Sequence, residues 1–128
     1  MNITSNWLNL SVADLSVSEG FYQALGFTIK HNEAMQAKML GKETADGKII
    51  MLIEQQQFKK AASLDNIPKI DGALISLSVA TEAEVDELLT LVNQANGTVL
   101  QRGTKLEGYY GGLFSDPDGH RFNVIAMS

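Results

Sequence analysis

The sequence predicts an α+β fold of two tandem βαβββ units with mixed sheets, and three internal matches carry the prediction. Asp46-Gly-Lys-Ile-Ile-Met-Leu-Ile-Glu-Gln55 is answered by Asp118-Gly-His-Arg-Phe-Asn-Val-Ile-Ala-Met127, an offset of 72 (46 to 118). Leu10-Ser-Val-Ala13 returns as Leu77-Ser-Val-Ala80 at an offset of 67 (10 to 77), and Gln23-Ala-Leu-Gly26 as Gln94-Ala-Asn-Gly97 at 71 (23 to 94). The matches keep their order and their offsets drift little, so the chain reads as a duplication of one unit of roughly 60 residues.

In the first unit, Trp7–Ala13 alternates strictly: Leu8, Leu10 and Val12 face one way, Trp7, Asn9 and Ser11 the other. That is a strand with one apolar face. Ser16-Val-Ser-Glu19 reads as a capping box opening a helix that aligns Val17, Phe21, Ala24 and Leu25, with Gly26 as the left-handed residue that ends it. Phe27–His31 and Ala37–Lys42 are expected strands. Asp46-Gly47 then turns into a fourth, Lys48–Glu54.

Residues 55–71 are polar, with a proline near their end, and read as a connector with a short helix around Phe58–Ala62. The second unit opens with the strand Ala73–Ala80, which turns Ile75, Leu77 and Val79 one way and Leu74, Ser76 and Ser78 the other. Thr81-Glu-Ala-Glu84 is a second capping box; Val85, Leu88, Leu89 and Val92 follow at helical spacing, and Asn96-Gly97 closes the helix. Strands are expected at Thr98–Arg102, Tyr110–Ser115 and His120–Ala126, with a loop at Gly103–Tyr109 and a tight turn at Asp116-Pro-Asp-Gly119. The expected organisation is one domain, 1–128, of two units (about 5–54 and 72–127) joined by the linker 55–71.

At 128 residues, with 45% hydrophobic and 20% charged residues, the composition is that of an ordinary globular domain. A net charge of −5 argues against nucleic acid and anionic membranes as partners and tolerates a cationic or neutral ligand. The absence of cysteine removes disulfides, thiolate nucleophiles and Cys-ligated metals. The start, Met-Asn-Ile-Thr-Ser-Asn, lacks a basic region followed by an apolar segment and no run approaches 18 apolar residues, so a cytoplasmic protein without a leader is expected.

Asn9-Leu-Ser-Val-Ala-Asp-Leu15, Phe21-Tyr-Gln-Ala-Leu-Gly-Phe27 and Phe114-Ser-Asp-Pro-Asp-Gly-His120 resemble the vicinal oxygen chelate superfamily. That group includes glyoxalase I, bleomycin resistance proteins and extradiol dioxygenases; the nearest branch is the one often labelled "predicted lactoylglutathione lyase". The resemblance covers nearly the whole chain. It implies sheets that curl into a cup, a homodimer, and, in metal-using members, His or Glu ligands from the first and last strand of each unit. Those positions fall here on Trp7, Leu74, Met51 and Asn123. None suits a divalent first-row ion, which takes His, carboxylate or thiolate ligands. A one-residue slip would only turn the side chain to the other face of its strand. No metal or other cofactor is therefore expected.

The remaining cup wall would hold Trp7, Asn9, Ser11, Met51, Leu74, Ser76, Arg121 and Asn123, a mixture of apolar surface and a few polar groups suited to a small organic ligand. Trp7 with Tyr109 or Tyr110 would stack on the ligand, and Asn9, Ser76, Asn123 and Arg121 would orient it. Gly111 and Gly112 serve either a closing loop or a bend or bulge in a strand. His120 is read as bonding the preceding turn, His31 as exposed, and Met35, Met39, Met51 and Met127 as filling the core. No catalytic residue is assigned. The leading expectation is a metal-free small-molecule-binding protein. A metal-dependent lyase or dioxygenase would need ligands from elsewhere, such as His120 with Glu54, and a partner-binding module would need a closed cup.

Overall fold

Leu10 and Val12 are buried while Asn9 is exposed, and this alternation decides which side of the first sheet is covered. The computed structural model describes residues 1–35 and 37–127, and the chain divides into two compact units, Met1–Ile67 and Pro68–Ser128. The first contains β1 (Asn9–Val12), α1 (Leu15–Ala24), β2 (Thr28–Lys30), β3 (Met39–Glu43), β4 (Ile49–Glu54) and α2 (Gln55–Ala62). Its sheet order is β1-β4-β3-β2, with β1 parallel to β4 and the other pairs antiparallel. The second contains β5 (Leu74–Val79), α3 (Glu82–Gln94), β6 (Thr98–Leu106), β7 (Tyr109–Ser115) and β8 (Arg121–Ala126) in the same arrangement, β5-β8-β7-β6. The α+β class and the repeated βαβββ order are as the sequence predicts, delivered as two four-stranded mixed sheets.

The registers reproduce the sequence repeat residue by residue. Asn9 lies opposite Met51 in unit one, and Ser76 opposite Asn123 in unit two. Those pairs are related by the same offsets, 67 and 72, that the internal matches give. Helix α3 packs over Val85, Leu88, Leu89 and Val92 on the sheet face holding Phe114, Phe122 and Val124, all buried. Phe114 and Phe122 stack with centroids 5.1 Å apart.

Several boundaries differ from the sequence reading. β1 begins at Asn9; the Met51 N–H donates to the Leu8 carbonyl at 3.0 Å, so the strand enters its ladder after Trp7. Helix α1 is capped by Asp14, not Ser16: the Asp14 carboxylate accepts from the Ser16 and Val17 N–H groups at 2.9 and 3.3 Å. A carboxylate at that point satisfies N–H groups two residues earlier than a Ser16 cap would and adds charge favourable to the helix dipole, so the helix starts at Leu15. The Thr81 cap is as predicted, its hydroxyl accepting from the Glu84 N–H at 3.1 Å. Gly26 (φ 102°) and Asn96 (φ 72°) supply the left-handed residues that end α1 and α3. Helix α2 starts three residues before its predicted Phe58 because Glu54 caps it, accepting from Gln56 and Gln57.

The largest difference is the predicted loop Gly103–Tyr109, which is a hairpin. β6 runs on to Leu106 and turns through Glu107-Gly108 into β7. Register shifts between Val99 and Gln101 and between Gln101 and Thr104 break the two-residue alternation that would have revealed it. Gly111 and Gly112 are therefore strand residues required by close approach. A Cβ on Gly112 would lie 2.6 Å from a Leu89 methyl and 3.0 Å from the Gln101 carbonyl oxygen.

One charge sits in the core of unit one. Lys42 is 2% exposed, on the helix-side face of β3 beside Leu40. Its ammonium lies 4.3 Å from the Phe27 ring centroid and 4.8 Å from that of Tyr22, a cation–π arrangement that offsets part of its desolvation. The repeat offset of 72 equates Lys42 with Phe114, so a lysine stem occupies the space that an aromatic ring fills in the other unit.

His120 fastens the start of unit two. The Asp116 carboxylate accepts from the backbone N–H groups of His120 (2.9 Å) and Asp118 (3.0 Å), and the His120 ring donates from Nδ1 to Asp71. Asp71 also accepts from the Ala73 N–H at 3.1 Å, so the start of β5 is tied to the start of β8. Burial works to raise the Asp71 pKa, but the hydrogen bonds from His120 and Ala73 outweigh it and hold the carboxyl below its ordinary value. Among the described residues no helix is long and apolar enough to cross a membrane.

Two stability predictions follow from this packing. Gly112→Ala is expected to cost about 1–3 kcal/mol by overpacking against Leu89 and the β6 backbone. Gly20→Ala, exposed within α1 with nothing within 4 Å of its added methyl, should gain about 0.5–1 kcal/mol; urea denaturation of both variants checks the pair. For Asp71, a carboxyl with a depressed folded pKa stabilises above its unfolded value of about 3.9, and the stabilisation is lost as pH falls through the folded value. Asp71→Ala should therefore cost about 1–3 kcal/mol at pH 7, with the deficit shrinking below about pH 4 in melting curves.

Candidate functional site

Because each helix covers one face of its sheet, every second strand residue is turned to the other face. In unit two that open face carries Leu74 and Ser76 from β5, Arg121 and Asn123 from β8, and Leu113 from β7. Ser76 and Asn123 are direct neighbours in the parallel pair, and the Ser76 hydroxyl donates to Asn123 Oδ1 at 2.6 Å. Arg121 lies between Leu74 on β5 and Ser115 on β7. Leu74 remains 58% exposed, an apolar side chain beside polar groups.

The two tyrosines part company. A Cβ on Gly111 would lie 3.1 Å from the Tyr109 ring, so that ring, 38% exposed, lies over Gly111 on the open face. Tyr110 is turned the other way, toward α3, where its hydroxyl donates to Asp86 at 2.8 Å. This corrects the expectation that Tyr110 could stack on a ligand of the open face, and the reason is the strand: neighbouring residues on a strand face opposite ways, whereas a loop could have aimed both at one place. The bond to Asp86 raises the Tyr110 pKa above its usual value, with desolvation and the negative charges of Asp86 and Glu82 acting in the same direction.

Unit one presents a different surface. Asn9 lies opposite Met51, and Met51 in turn opposite Gly41. A Cβ on Gly41 would lie 2.9 Å from an Ile49 methyl and 3.5 Å from Met51 Sδ, so both side chains lie over this glycine and the face is chiefly apolar. Ser11 is buried, and Trp7, 64% exposed, precedes the strand. Within the units, then, Leu74, Ser76, Tyr109, Arg121 and Asn123 share one face, Asn9 and Met51 another.

The donor chemistry does not fit the divalent metal that the resemblance implies. Asn123 is bonded to Ser76, Met51 offers a thioether, and Trp7 and Leu74 offer nothing. Among the described residues no group of three or more His, Asp or Glu side chains could hold a metal ion. The alternative ligands are engaged locally: Glu54 caps α2 and His120 bonds Asp71. His31 lies 3.3 Å from Glu19 at an exposed position. Lys42 is a buried charge that the sequence reading does not single out, although the alternation of β3 and the repeat offset both put it in phase with core residues.

Comparison with known proteins agrees with this architecture. Residues 4–124 match the model of the Glyoxalase/Bleomycin resistance protein/Dioxygenase superfamily. No curated protein matches the chain. Among solved structures, a hypothetical protein from S. aureus is 38% identical with a TM-score of 0.91, covering 99% of this chain and 96% of that one. A glyoxalase-related enzyme from Fulvimarina pelagi (19% identity, TM-score 0.83, 98% and 89% covered) shares the fold. So does the genomically encoded fosfomycin resistance protein FosX from Listeria monocytogenes (20%, 0.72, 100% and 94%). With two βαβββ units in the expected registers and a family match over nearly its whole length, the chain belongs to the glyoxalase/bleomycin resistance protein/dioxygenase superfamily.

Proposed function

We propose that this protein binds a small organic molecule on the open sheet face without a metal. The observation that carries the reading is the Ser76–Asn123 hydrogen bond beside exposed Leu74, with the exposed Tyr109 ring over Gly111 farther along the same face. A fixed polar pair beside apolar and aromatic surface is the combination by which small-molecule sites fix orientation and gain affinity. Where metal-using relatives would need a ligand, Asn123 provides an amide already engaged by a hydroxyl. Recognition on this face therefore rests on hydrogen bonds and apolar contact, and Trp7, Asn9 and Met51 are contact candidates within unit one by itself. The same reading takes the chain as one domain and as a cytoplasmic homodimer, dimers being common in the superfamily.

A thermal-shift screen against an organic metabolite and antibiotic panel, with divalent metals as a separate arm, tests the proposal. An organic ligand at ~100 times its Kd should stabilise by about 2.7 kcal/mol, several degrees for a domain of this size. Stabilisation by a metal alone would refute the reading in favour of metal-dependent chemistry. Asn123→Ala is expected to abolish the organic shift while costing only about 1 kcal/mol of stability in the absence of ligand, read from the same melts.

A further inference from the structure

Resting on the binding reading above, we infer that the occupant of the unit-two face is a small organic anion: a carboxylate or comparable oxyanion carried on an apolar or aromatic group. The charge distribution is the first argument. Arg121 is the only charged residue in β5, β7 and β8, although the chain as a whole carries a net charge of −5. The carboxylates of unit two lie on other elements: Asp71 precedes β5 and is bonded to His120, Glu82, Glu84, Asp86 and Glu87 belong to α3, Glu107 lies in the turn between β6 and β7, and Asp116 and Asp118 lie in the turn before β8. Among the described residues no carboxylate forms an ion pair with Arg121. A cationic ligand would find no counter-charge on these strands, whereas an anion meets a guanidinium.

The hydrogen-bond polarity is the second. The Ser76 hydroxyl gives its proton to Asn123 Oδ1, which orients the amide and leaves its NH₂ group as what Asn123 offers a ligand. Arg121 and Asn123 are two residues apart on one strand and face the same way, about 7 Å apart at the backbone. One oxyanion can therefore accept from both side chains, and guanidinium and amide donors together favour acceptor-only groups. Leu74, opposite Arg121 across the parallel pair, and Tyr109 supply apolar and aromatic surface for the remainder of the molecule.

Benzoate, benzamide and benzylamine form a probe set of one shape and three charges. The full chain, labelled with ¹⁵N, is titrated with each while the Asn123 side-chain amide signals and apparent Kd are followed. Benzoate should move those signals and bind about tenfold or more tighter than benzamide. Arg121→Gln should erase that preference, weakening benzoate binding about tenfold or more relative to benzamide binding. Benzamide or benzylamine binding as tightly as benzoate at the same signals would overturn the anion assignment and leave the binding reading standing. Silence from all three probes overturns the assignment too; a hit from the organic panel that moves Asn123 would then keep the binding reading alone, and a silent panel would remove both.

Discussion

The parallel pairing of each unit's first strand with its last is the constraint on which the site depends. A parallel pair joins residues far apart in sequence: Ser76 and Asn123 bond across 47 positions. Because side chains alternate along a strand, that register alone decides which residues lie under the helix and which remain open. A slip of one position would bury Ser76, Arg121 and Asn123 against α3 and expel Phe122 and Val124. The apolar face under the helix thus maintains the polar arrangement on the opposite side, although no residue belongs to both.

Much of the fold was legible because the signals were redundant. The three internal matches, the alternation in β1 and β5, and the Thr81 cap each pointed to the same elements. Legibility failed where one local rule masked another. Asp14 and Ser16 are both acceptable caps, and the carboxylate prevails. The bulged course of β6 breaks the alternation, and Gly103 imitates a loop residue in a strand whose neighbours leave no room for a side chain.

The candidate site was legible at the level of faces and not of contacts. Alternation alone assigns Ser76 and Asn123 to the open side, but only the register makes them neighbours. Once β7 is a strand, Tyr109 and Tyr110 separate, one over Gly111 and one bonded to Asp86. The net charge of −5 is a sum over the chain and carries no address: Arg121 is the only charged residue in β5, β7 and β8.

Lys42 bears on how the two halves have aged since they were copies. Its ammonium rests on rings supplied by Tyr22, in the last turn of one particular helix, and Phe27, three residues past that helix's end (24 to 27), whereas Phe114 stacks on a ring of its own sheet. The halves keep a common backbone plan but are no longer interchangeable parts. A shuffled gene joining the helix of one copy to the sheet of the other would withdraw both rings from a buried cation, or leave them facing a phenyl group. Each helix and its sheet are thereby bound to be inherited together, and the freedom to diverge passes to the open faces, where a changed side chain disturbs no core.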